Sequence, residues 1–519
     1  MYEQSGATSP SVIPQVLATG EPGEAEYFSA LKKKANDAIA SIYKTRITPI
    51  EFPAQGDFNW FWQNPNQVFN QGTFDFASAR VSPGDTLDTV QLSPAGGFAN
   101  AYVQVVTALQ FSLSSVEQAT LNKAVSNASA QAQAIVSSYQ GIFGQITDGQ
   151  MKTAQTVLGE FAVANKQDYV IGYILGYIWS GRQGEGKPAL TYTEMANARD
   201  LRKLLPQMPA SGAPVLADVT VYLNVLAPVN SLEDQLFLGG WIRNQMRNNT
   251  AVPTERNGGM KLVNPNTGAV SPDYQVGYSI NAAITQIKND LDNEARVFSL
   301  GMQVSKASGS SLNVSVDGGA GFTVGSLLRF SLGTQFSYDM TTFQGTSSDC
   351  TVEISYKGFT MAPIAAAAWQ QATNVGWFFG DPIAQAQKNQ GKDVTGFKFV
   401  STPPYNLGPL ADGGDFGMLT NLLISNYPTV KIHYRNADFS SFKQAWSEKI
   451  SGNLTLFGFI PLGRFSQGAS GSSYKEGSSN SEFTVEFGPS KEVLSVPDLQ
   501  KTAFPIGGSF DFPGTPGTR

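Results

Sequence analysis

The sequence predicts an α+β protein, with a mainly helical N-terminal half followed by a long-stranded antiparallel β-meander or sheet in the C-terminal half. Two patterns along the 519 residues support this prediction. Apolar residues recur at helical spacing up to residue 297, and they alternate with polar residues from Phe298 onward. We therefore expect one domain over residues 1–297 and another over residues 298–519.

Four segments of the first half predict helices. The first runs from Glu24 to Tyr43, and the second begins at the capping box Ser114-x-x-Glu117. A third covers Tyr192 to Leu205, and a fourth begins at Ser279. The apolar stripes of the first, second and fourth helices are Phe28, Leu31, Ala35, Ile39 and Ile42; Val125, Ala128, Ala132, Ile135, Tyr139, Phe143 and Ile146; and Ile280, Ile284, Ile287, Leu291 and Phe298.

Even-numbered side chains are apolar in the segments that follow Phe298, whereas the odd-numbered ones are mostly small or polar. The longest such segment covers seventeen residues, from Phe322 to Tyr338. We expect residues 298–357 to form one meander whose even-numbered face packs on the helices. A short helix near 438–450 and a Ser/Gly loop over 463–481 are predicted farther along.

Composition excludes several classes of function. Charged residues make up 15% of the chain, below the ~25% of ordinary soluble domains, and the net charge is -6. Without a basic patch we expect no nucleic-acid partner. Cys350 and His433 are single residues of their types, so no intrachain disulfide or Cys/His zinc site can form, and we expect no metal and no cofactor.

The segment WSGRQGEGKP imitates a phosphate-binding P-loop, with Gly181, Gly186 and Lys187 at the required spacing. The next residue is Pro188, where a P-loop needs a Ser or Thr hydroxyl to hold magnesium. Proline also lacks the backbone N–H that would face a phosphate. We expect a turn between helices here, and no nucleotide site.

Two further short motifs do not indicate an enzyme. Asp415-Phe-Gly417 matches the metal-binding triplet of kinases, but the single histidine follows it, so no His-Arg-Asp loop precedes it. The Gly-rich run at 318–321 begins a strand, which does not match a dinucleotide fingerprint. We therefore expect a non-enzymatic protein.

Aromatic side chains are densest in residues 57–76, where they are mixed with Asn and Gln. Trp60, Phe61 and Trp62 are candidates for contact with a membrane or a sugar, because such rings stack on sugars or lie at the lipid headgroup layer. The alternative is a strand whose aromatic rings pack on the core, and the prevalence of aromatic residues in cores favours it.

The segment from Phe322 to Tyr338 is long enough to cross a membrane as a β-strand, which takes ~9–11 residues with one apolar face. The candidate membrane-inserting residues are Phe322, Val324, Leu328, Phe330, Leu332, Phe336 and Tyr338. The alternative, a long sheet laid over the helices, has the same sequence pattern and is the more common structure.

These observations lead to three functional hypotheses. The first is a non-enzymatic, soluble protein of pore-forming-toxin type that forms homo-oligomers and acts on a membrane lipid or glycan. The second is a self-assembling subunit of a shell, lattice or filament, and the third is an enzyme with a carboxylate and tyrosine site that matches no motif. The N-terminal residues lack a secretory signal pattern, so we expect a cytoplasmic protein or one released without the Sec pathway.

Overall fold

A computed structural model describes residues 23–50, 58–59, 62–63, 68–69, 77–85, 89–93, 97–145, 213–250, 259–263, 270–280, 282, 284–307, 311–317, 321–332, 336–339, 350–372, 376–426, 428–435, 452–465, 471–476, 482–488 and 502–515. Within these stretches the α-helices are α1 (Glu24–Ile42), α2 (Gly97–Thr107), α3 (Ser115–Phe143), α4 (Ala213–Thr250), α5 (Ile284–Leu291) and α6 (Asp381–Lys388).

The described strands lie in both halves of the chain, with the longer run of them after residue 297. The strands before that point are β1 (Thr48–Pro49), β2 (Phe58–Asn59), β3 (Trp62–Gln63), β4 (Val68–Phe69), β5 (Arg80–Pro83), β6 (Val90–Ser93), β7 (Leu109–Ser112), β8 (Gly259–Val263), β9 (Val270–Val276) and β10 (Tyr278–Ile280). Those that follow are β11 (Val297–Lys306), β12 (Leu312–Val316), β13 (Phe322–Val324), β14 (Leu328–Leu332), β15 (Phe336–Asp339), β16 (Cys350–Lys357), β17 (Phe359–Ala366), β18 (Gly396–Phe399), β19 (Gly417–Ser425), β20 (Thr429–Arg435), β21 (Gly452–Leu456), β22 (Ile460–Phe465), β23 (Gly471–Glu476), β24 (Glu482–Gly488) and β25 (Thr502–Asp511).

Three antiparallel sheets organise most of these strands. An eight-stranded sheet runs β1-β25-β19-β17-β10, with β2 beside β25 and the β5–β6 hairpin beside β19. A seven-stranded sheet runs β13-β12-β11-β16-β20-β24-β23, and a four-stranded sheet runs β15-β14-β21-β22. The predicted α+β class is confirmed, with most helices in the N-terminal half and most strands in the C-terminal half.

The even-numbered face of the seven-stranded sheet is buried, as predicted. In β11 this face consists of Phe298, Leu300, Met302 and Val304, and β12, β13 and β16 continue it. Helix α1 packs its apolar stripe into the same core, which confirms the predicted contact between helix and sheet. The buried residues of that stripe are Tyr27, Phe28, Ala30, Leu31, Ala35 and Ile39, whereas the predicted Ile42 is exposed.

The predicted seventeen-residue strand is wrong. It is divided into β13, which lies at one edge of the seven-stranded sheet, and the β14–β15 hairpin, which belongs to the four-stranded sheet. The alternation stops at Leu327 and Leu328, because both side chains are fully buried. The single meander over 298–357 is therefore also wrong: β11 pairs directly with β16, and residues 328–339 pair elsewhere.

The predicted helix at Ser279 is partly wrong. Ser279 and Ile280 lie in β10, which pairs with β17, and the helix α5 begins at Ile284. Phe298 belongs to β11 and stacks on Tyr356 of the neighbouring strand. The pairing with β17 supplies the hydrogen bonds of β10, so tertiary context overrides the helical spacing here.

Two other predictions change with the structure. The Ser/Gly segment 463–481 is not a loop throughout, because Gly471–Glu476 forms β23 and pairs with β24. The neighbouring strand supplies the backbone hydrogen bonds of β23, and composition alone does not reveal such a partner. The predicted helices at Tyr192–Leu205 and 438–450 lie outside the described residues, as does the P-loop-like segment WSGRQGEGKP.

The chain divides into two compact units. The first contains the described residues within 23–109, 244–388 and 399–515, and the second contains those within 110–243 and 389–398. Both units are built from segments that are distant in sequence, and their limits differ from the predicted division at residue 297. In the first unit, α1 and the strands after residue 297 share one core, because the helix covers the apolar face of their sheet.

Candidate functional site

The odd-numbered face of the seven-stranded sheet carries polar side chains in rows across the strands. The register aligns Ser315, Gln303, Thr351, His433 and Thr484 from β12 to β24. All five are exposed or half-buried. Because side chains alternate across a strand, the register that buries the even-numbered residues also brings these polar groups together.

A depression of about 500 Å³ lies on this face at the end formed by β11, β12 and β13, and we name it the polar depression. Arg435, at the end of β20, contributes to its lining. The other polar side chains of the lining are Gln303, Ser305, Asn313, Ser315, Thr323 and Thr351. The polar depression thus joins strands that the sequence separates by more than a hundred residues.

His433 is held between two residues of the neighbouring strand β24. Its Nδ1 lies 2.8 Å from the Thr484 hydroxyl, and its Nε2 lies 2.9 Å from a carboxylate oxygen of Glu482. These contacts fix the ring, and the sequence did not predict them, because both partners come from a strand about fifty residues away. The half-buried position of His433 agrees with the polar face that its place in the strand predicts.

Cys350 lies on the opposite, buried face of the same sheet. Burial raises the pKa of its thiol to about 12, so the group is protonated at neutral pH. A protonated thiol is neither a nucleophile nor a metal ligand. Its side chain therefore acts as a small apolar group in the core.

A carboxylate, a guanidinium and a tyrosine meet where the chain passes between the two large sheets. The buried Asp290 accepts hydrogen bonds from Thr360 (2.8 Å) and Gln286 (2.9 Å), and it forms an ion pair with Arg296 (2.8 Å). Arg296 also donates to the hydroxyl of Tyr43 at 3.1 Å. Both carboxylate oxygens are engaged by protein groups, so the arrangement is that of a structural junction.

Gly358 connects β16 of the seven-stranded sheet with β17 of the eight-stranded sheet at this junction. Its φ angle is +59°, and a Cβ atom there would lie 1.8 Å from the carbonyl oxygen of Leu291. Its N–H donates to the carbonyl of Arg296 at 2.8 Å. The left-handed backbone and the close contact both require glycine, so this residue fixes how the chain leaves one sheet for the other.

The triplet Asp415-Phe-Gly417 connects a 3-10 turn at Leu410–Asp412 with strand β19, which begins at Gly417. The Asp415 carboxylate accepts a hydrogen bond from the Asn406 N–H at 2.7 Å, and Arg80 lies 3.6 Å from its other oxygen. Phe416 is fully buried and packs 5.1 Å from the ring centre of Phe98. These contacts agree with the turn that the Gly-rich sequence indicates.

The aromatic candidates are only partly described. Trp62 lies in β3 and pairs with Phe69 of β4, whereas Trp60 and Phe61 lie outside the described residues. The strands β2, β3 and β4 in this segment agree with the strand interpretation of its backbone.

The candidate membrane-inserting residues are separated by the fold. Phe322 and Val324 are buried in β13, and Leu328 is buried in β14. Phe330 and Leu332 also lie in β14, and Phe336 and Tyr338 lie in β15. None of these three strands reaches the ~9–11 residues that a membrane-crossing strand needs.

The second unit contains the long helix α3 and the part of α4 up to residue 243. Leu121 and Ala124 of α3 pack with Val229 and Leu232 of α4. The Gln131 side chain donates to the Asp218 carbonyl at 3.3 Å. The start of α3 therefore contacts the middle of α4, and the middle of α3 contacts the start of α4, so the two helices run antiparallel. Of the predicted α3 stripe, Ala132, Ile135 and Tyr139 are buried and Val125 is exposed, so the stripe is rotated away from Val125.

Helix α4 is unusually apolar and unusually exposed. It is the one helix among the described residues whose length and composition would allow it to cross a membrane, and 29% of its most apolar window is buried. Between Val215 and Leu232 its single charged residue is Asp218. Val221, Phe237 and Leu238 are exposed, at 47%, 74% and 45% of their surface.

The capping box predicted at Ser114 is confirmed in its main contact. The Ser114 hydroxyl accepts a hydrogen bond from the Glu117 N–H at 3.2 Å. The Ser114 N–H donates instead to Thr395 at 2.7 Å, and Asp393 accepts from both the N–H and the hydroxyl of Ser115. A segment almost 280 residues away therefore completes the cap.

Replacing Ser114 with alanine is expected to lower the free energy of unfolding by about 0.5–2 kcal/mol, because the hydroxyl is lost from the helix N-terminus. Urea denaturation followed by circular dichroism measures this change. Ser126→Ala, at an exposed position inside α3, is the matched control and should be neutral or slightly stabilising. Equal losses in the two variants would contradict the capping role.

The cap should also respond to acid. Hydrogen bonds from Ser115 hold the pKa of the Asp393 carboxyl below its ordinary value. Because the carboxyl has a lower pKa in the folded protein than in the unfolded chain, its ionised form stabilises the folded state when the pH is above the ordinary carboxyl pKa. This stabilisation is lost as the pH falls through the lowered pKa. Titration of the Asp393 carboxyl by NMR should give a pKa that rises in a Ser115→Ala variant.

Among the described residues, no three His, Cys, Asp or Glu side chains are grouped as a metal site would require. Comparisons with known protein families, with characterised proteins and with solved structures found no match to this chain.

Proposed function

We propose that this protein is a non-enzymatic, membrane-acting protein of pore-forming type, and that it works as an oligomer. The observation that carries the proposal is helix α4. At 38 residues it is about 57 Å long, and ~20 apolar residues suffice to cross the ~30 Å core of a bilayer. A core helix of the same composition would be mostly buried, whereas only 29% of this window is buried.

Helix α4 is a better membrane element than the segment Phe322–Tyr338. That segment is shared between two sheets, so insertion would require β13 to separate from β12 and β14 to separate from β21. Helix α4 can satisfy its backbone hydrogen bonds within itself, as a membrane requires, except at Pro228, which has no N–H to donate to the Asn224 carbonyl. Helix α4 packs against α3 through a narrow stripe of buried residues. Its insertion would therefore replace fewer protein contacts with lipid contacts than insertion of Phe322–Tyr338 would.

A pore of this kind would require the chain to form oligomers. One or two helices cannot enclose a water-filled path, so a pore needs several copies of the chain. Small and polar residues on a helix allow such copies to pack closely in lipid. Polar residues within the apolar stretch of α4, such as Thr220 and Asn224, would then lie against other protein atoms and away from lipid.

The test is dye release from lipid vesicles, with a charge placed on the exposed face of α4. Val221→Asp should lower the rate of release at least tenfold, because an aspartate near the centre of an inserted helix costs about 2.5–3.5 kcal/mol. Val125→Asp on α3 is the matched control, since the two valines are 47% and 48% exposed. The control should release dye within about twofold of the unmodified chain.

Each alternative has its own result in this experiment. Equal release by Val221→Asp and the unmodified chain would rule out insertion of α4. No release from vesicles of varied lipid and glycan content would reject the membrane proposal. Ordered assemblies without lipid in negative-stain images would then favour the self-assembling subunit, and a persistent monomer would favour the enzyme hypothesis.

A further inference from the structure

The polar depression differs from the rest of the face on which it lies. Farther along β16, β20 and β24, the same face carries a row of charges formed by Glu353, Lys431 and Glu486. The polar lining residues contributed by β11, β12 and β13 instead carry hydroxyl and amide groups. Apart from Arg435, which is paired in register with Glu482 of β24, the polar side chains that line the depression are uncharged.

The lining groups can both donate and accept hydrogen bonds. Within the lining, the Thr323 hydroxyl donates to the Asn313 side-chain oxygen at 3.3 Å, which leaves the Asn313 amide hydrogens to face solvent. Gln303, Ser305 and Ser315 are exposed. Short side chains on adjacent strands create the space, and the pleat points them to the same side.

Arg435 is the one cation among the described lining residues. It is exposed, and the described residues include no ion-pair partner for it. A guanidinium binds a carboxylate through two parallel hydrogen bonds, a geometry that an ammonium group cannot reproduce. The depression therefore combines many neutral hydrogen-bonding groups with one group suited to a carboxylate.

We propose that the polar depression binds a saccharide that carries one carboxylate group. Sugar hydroxyls donate and accept hydrogen bonds, as the Ser, Thr, Asn and Gln side chains do, and the carboxylate would pair with Arg435. The volume of about 500 Å³ falls within the ~300–1,000 Å³ of small-molecule sites. This inference concerns a soluble ligand, so it does not depend on the proposed action on membranes.

We expect binding to be weak, because the aromatic residue among the described lining residues does not present its ring to the depression. The Phe322 side chain belongs to the buried even-numbered face, is 6% exposed and packs against Phe457 at 5.7 Å. The sugar would therefore be held by hydrogen bonds and the ion pair, without an aromatic ring to stack on. NMR saturation-transfer titrations suit binding of this strength.

The test titrates the full chain with three sugars. The probes are 3′-sialyllactose, a disaccharide ending in glucuronic acid, and lactose as the neutral reference. At least one acidic sugar should bind about tenfold more tightly than lactose, and the comparison of the two identifies the source of the carboxylate. Arg435→Gln should remove this difference, since charge-assisted hydrogen bonds account for about a tenfold gain or more.

Lys431→Gln is the matched control. It removes one positive charge from the same strand and the same face, outside the depression. Binding should stay within about twofold of the unmodified chain. Three results would overturn the inference: equal weakening by Arg435→Gln and Lys431→Gln, equal binding of lactose and the acidic sugars, or no saturable binding of either acidic sugar.

Discussion

Replacing Trp377 with alanine is expected to lower the free energy of unfolding by about 3–5 kcal/mol, the range for deleting a large buried aromatic side chain. Trp377 is fully buried, and its ring centre lies 5.5 Å from those of Tyr102 and Tyr278. Its indole N–H donates to the Gly277 carbonyl at 2.7 Å. The substitution removes this hydrogen bond and leaves a cavity among the rings. Urea denaturation followed by circular dichroism measures the loss.

Trp377→Phe separates the two contributions. Phenylalanine keeps an aromatic ring in the cluster and removes the indole N–H, but the Gly277 carbonyl still accepts from the Ala367 N–H at 2.9 Å, so a loss of about 0.5–1.5 kcal/mol is expected. A loss below about 1 kcal/mol for Trp377→Ala would show that the cluster can collapse around the missing ring. In that case the aromatic cluster would not be a rigid part of the first unit.

The sequence predicts the buried face of an element correctly where the spacing of apolar residues matches the periodicity of that element. In α1 the spacing of Phe28, Leu31, Ala35 and Ile39 identifies the buried stripe, because a helix that packs on a sheet must place its apolar residues on one side. In β11, β12, β13 and β16 the even-numbered positions are buried for the same reason. Both patterns depend only on neighbours within the same element.

Strand order could not be predicted in this way. The alternation from Phe322 to Tyr338 is compatible with one strand, yet β13 pairs with β12, and β14 pairs with β21, more than a hundred residues later. The break depends on the partner that each half finds in space, and alternation carries no information about partners. The segment at Ser279 shows the same limit, since its pairing with β17 decides that it is a strand.

The polar depression illustrates why sites of this kind escape sequence motifs. Gln303, Asn313 and Thr351 are separated by ten and thirty-eight residues, and each one alone is an ordinary polar position on the exposed face of a strand. Only the register of β11 with β12 and β16 places them side by side. The available signal was the odd-numbered run of amides and hydroxyls, which predicts a polar face without locating a site on it.

Replacing Asp290 with alanine is expected to lower the free energy of unfolding by about 2–4 kcal/mol. Breaking a buried ion pair leaves an uncompensated charge, which costs about 3–5 kcal/mol, and the 26% exposure of the Arg296 side chain reduces this value. Thr360 and Gln286 would also lose their acceptor. The loss should be measured by urea denaturation, with Asp292→Ala as the control. Asp292 is exposed two residues away, and its removal should change stability by less than about 0.5 kcal/mol.

A double-mutant cycle with Arg296→Met decides whether the charge pair causes this loss. If it does, Asp290→Ala should cost at least about 1 kcal/mol less in the Arg296→Met background, since no guanidinium is then left without a partner. Equal costs in both backgrounds would assign the effect to Thr360 and Gln286. The junction where Gly358 carries the chain from one sheet to the other would then depend on neutral hydrogen bonds to Asp290, and the Arg296 side chain would serve mainly to cover it.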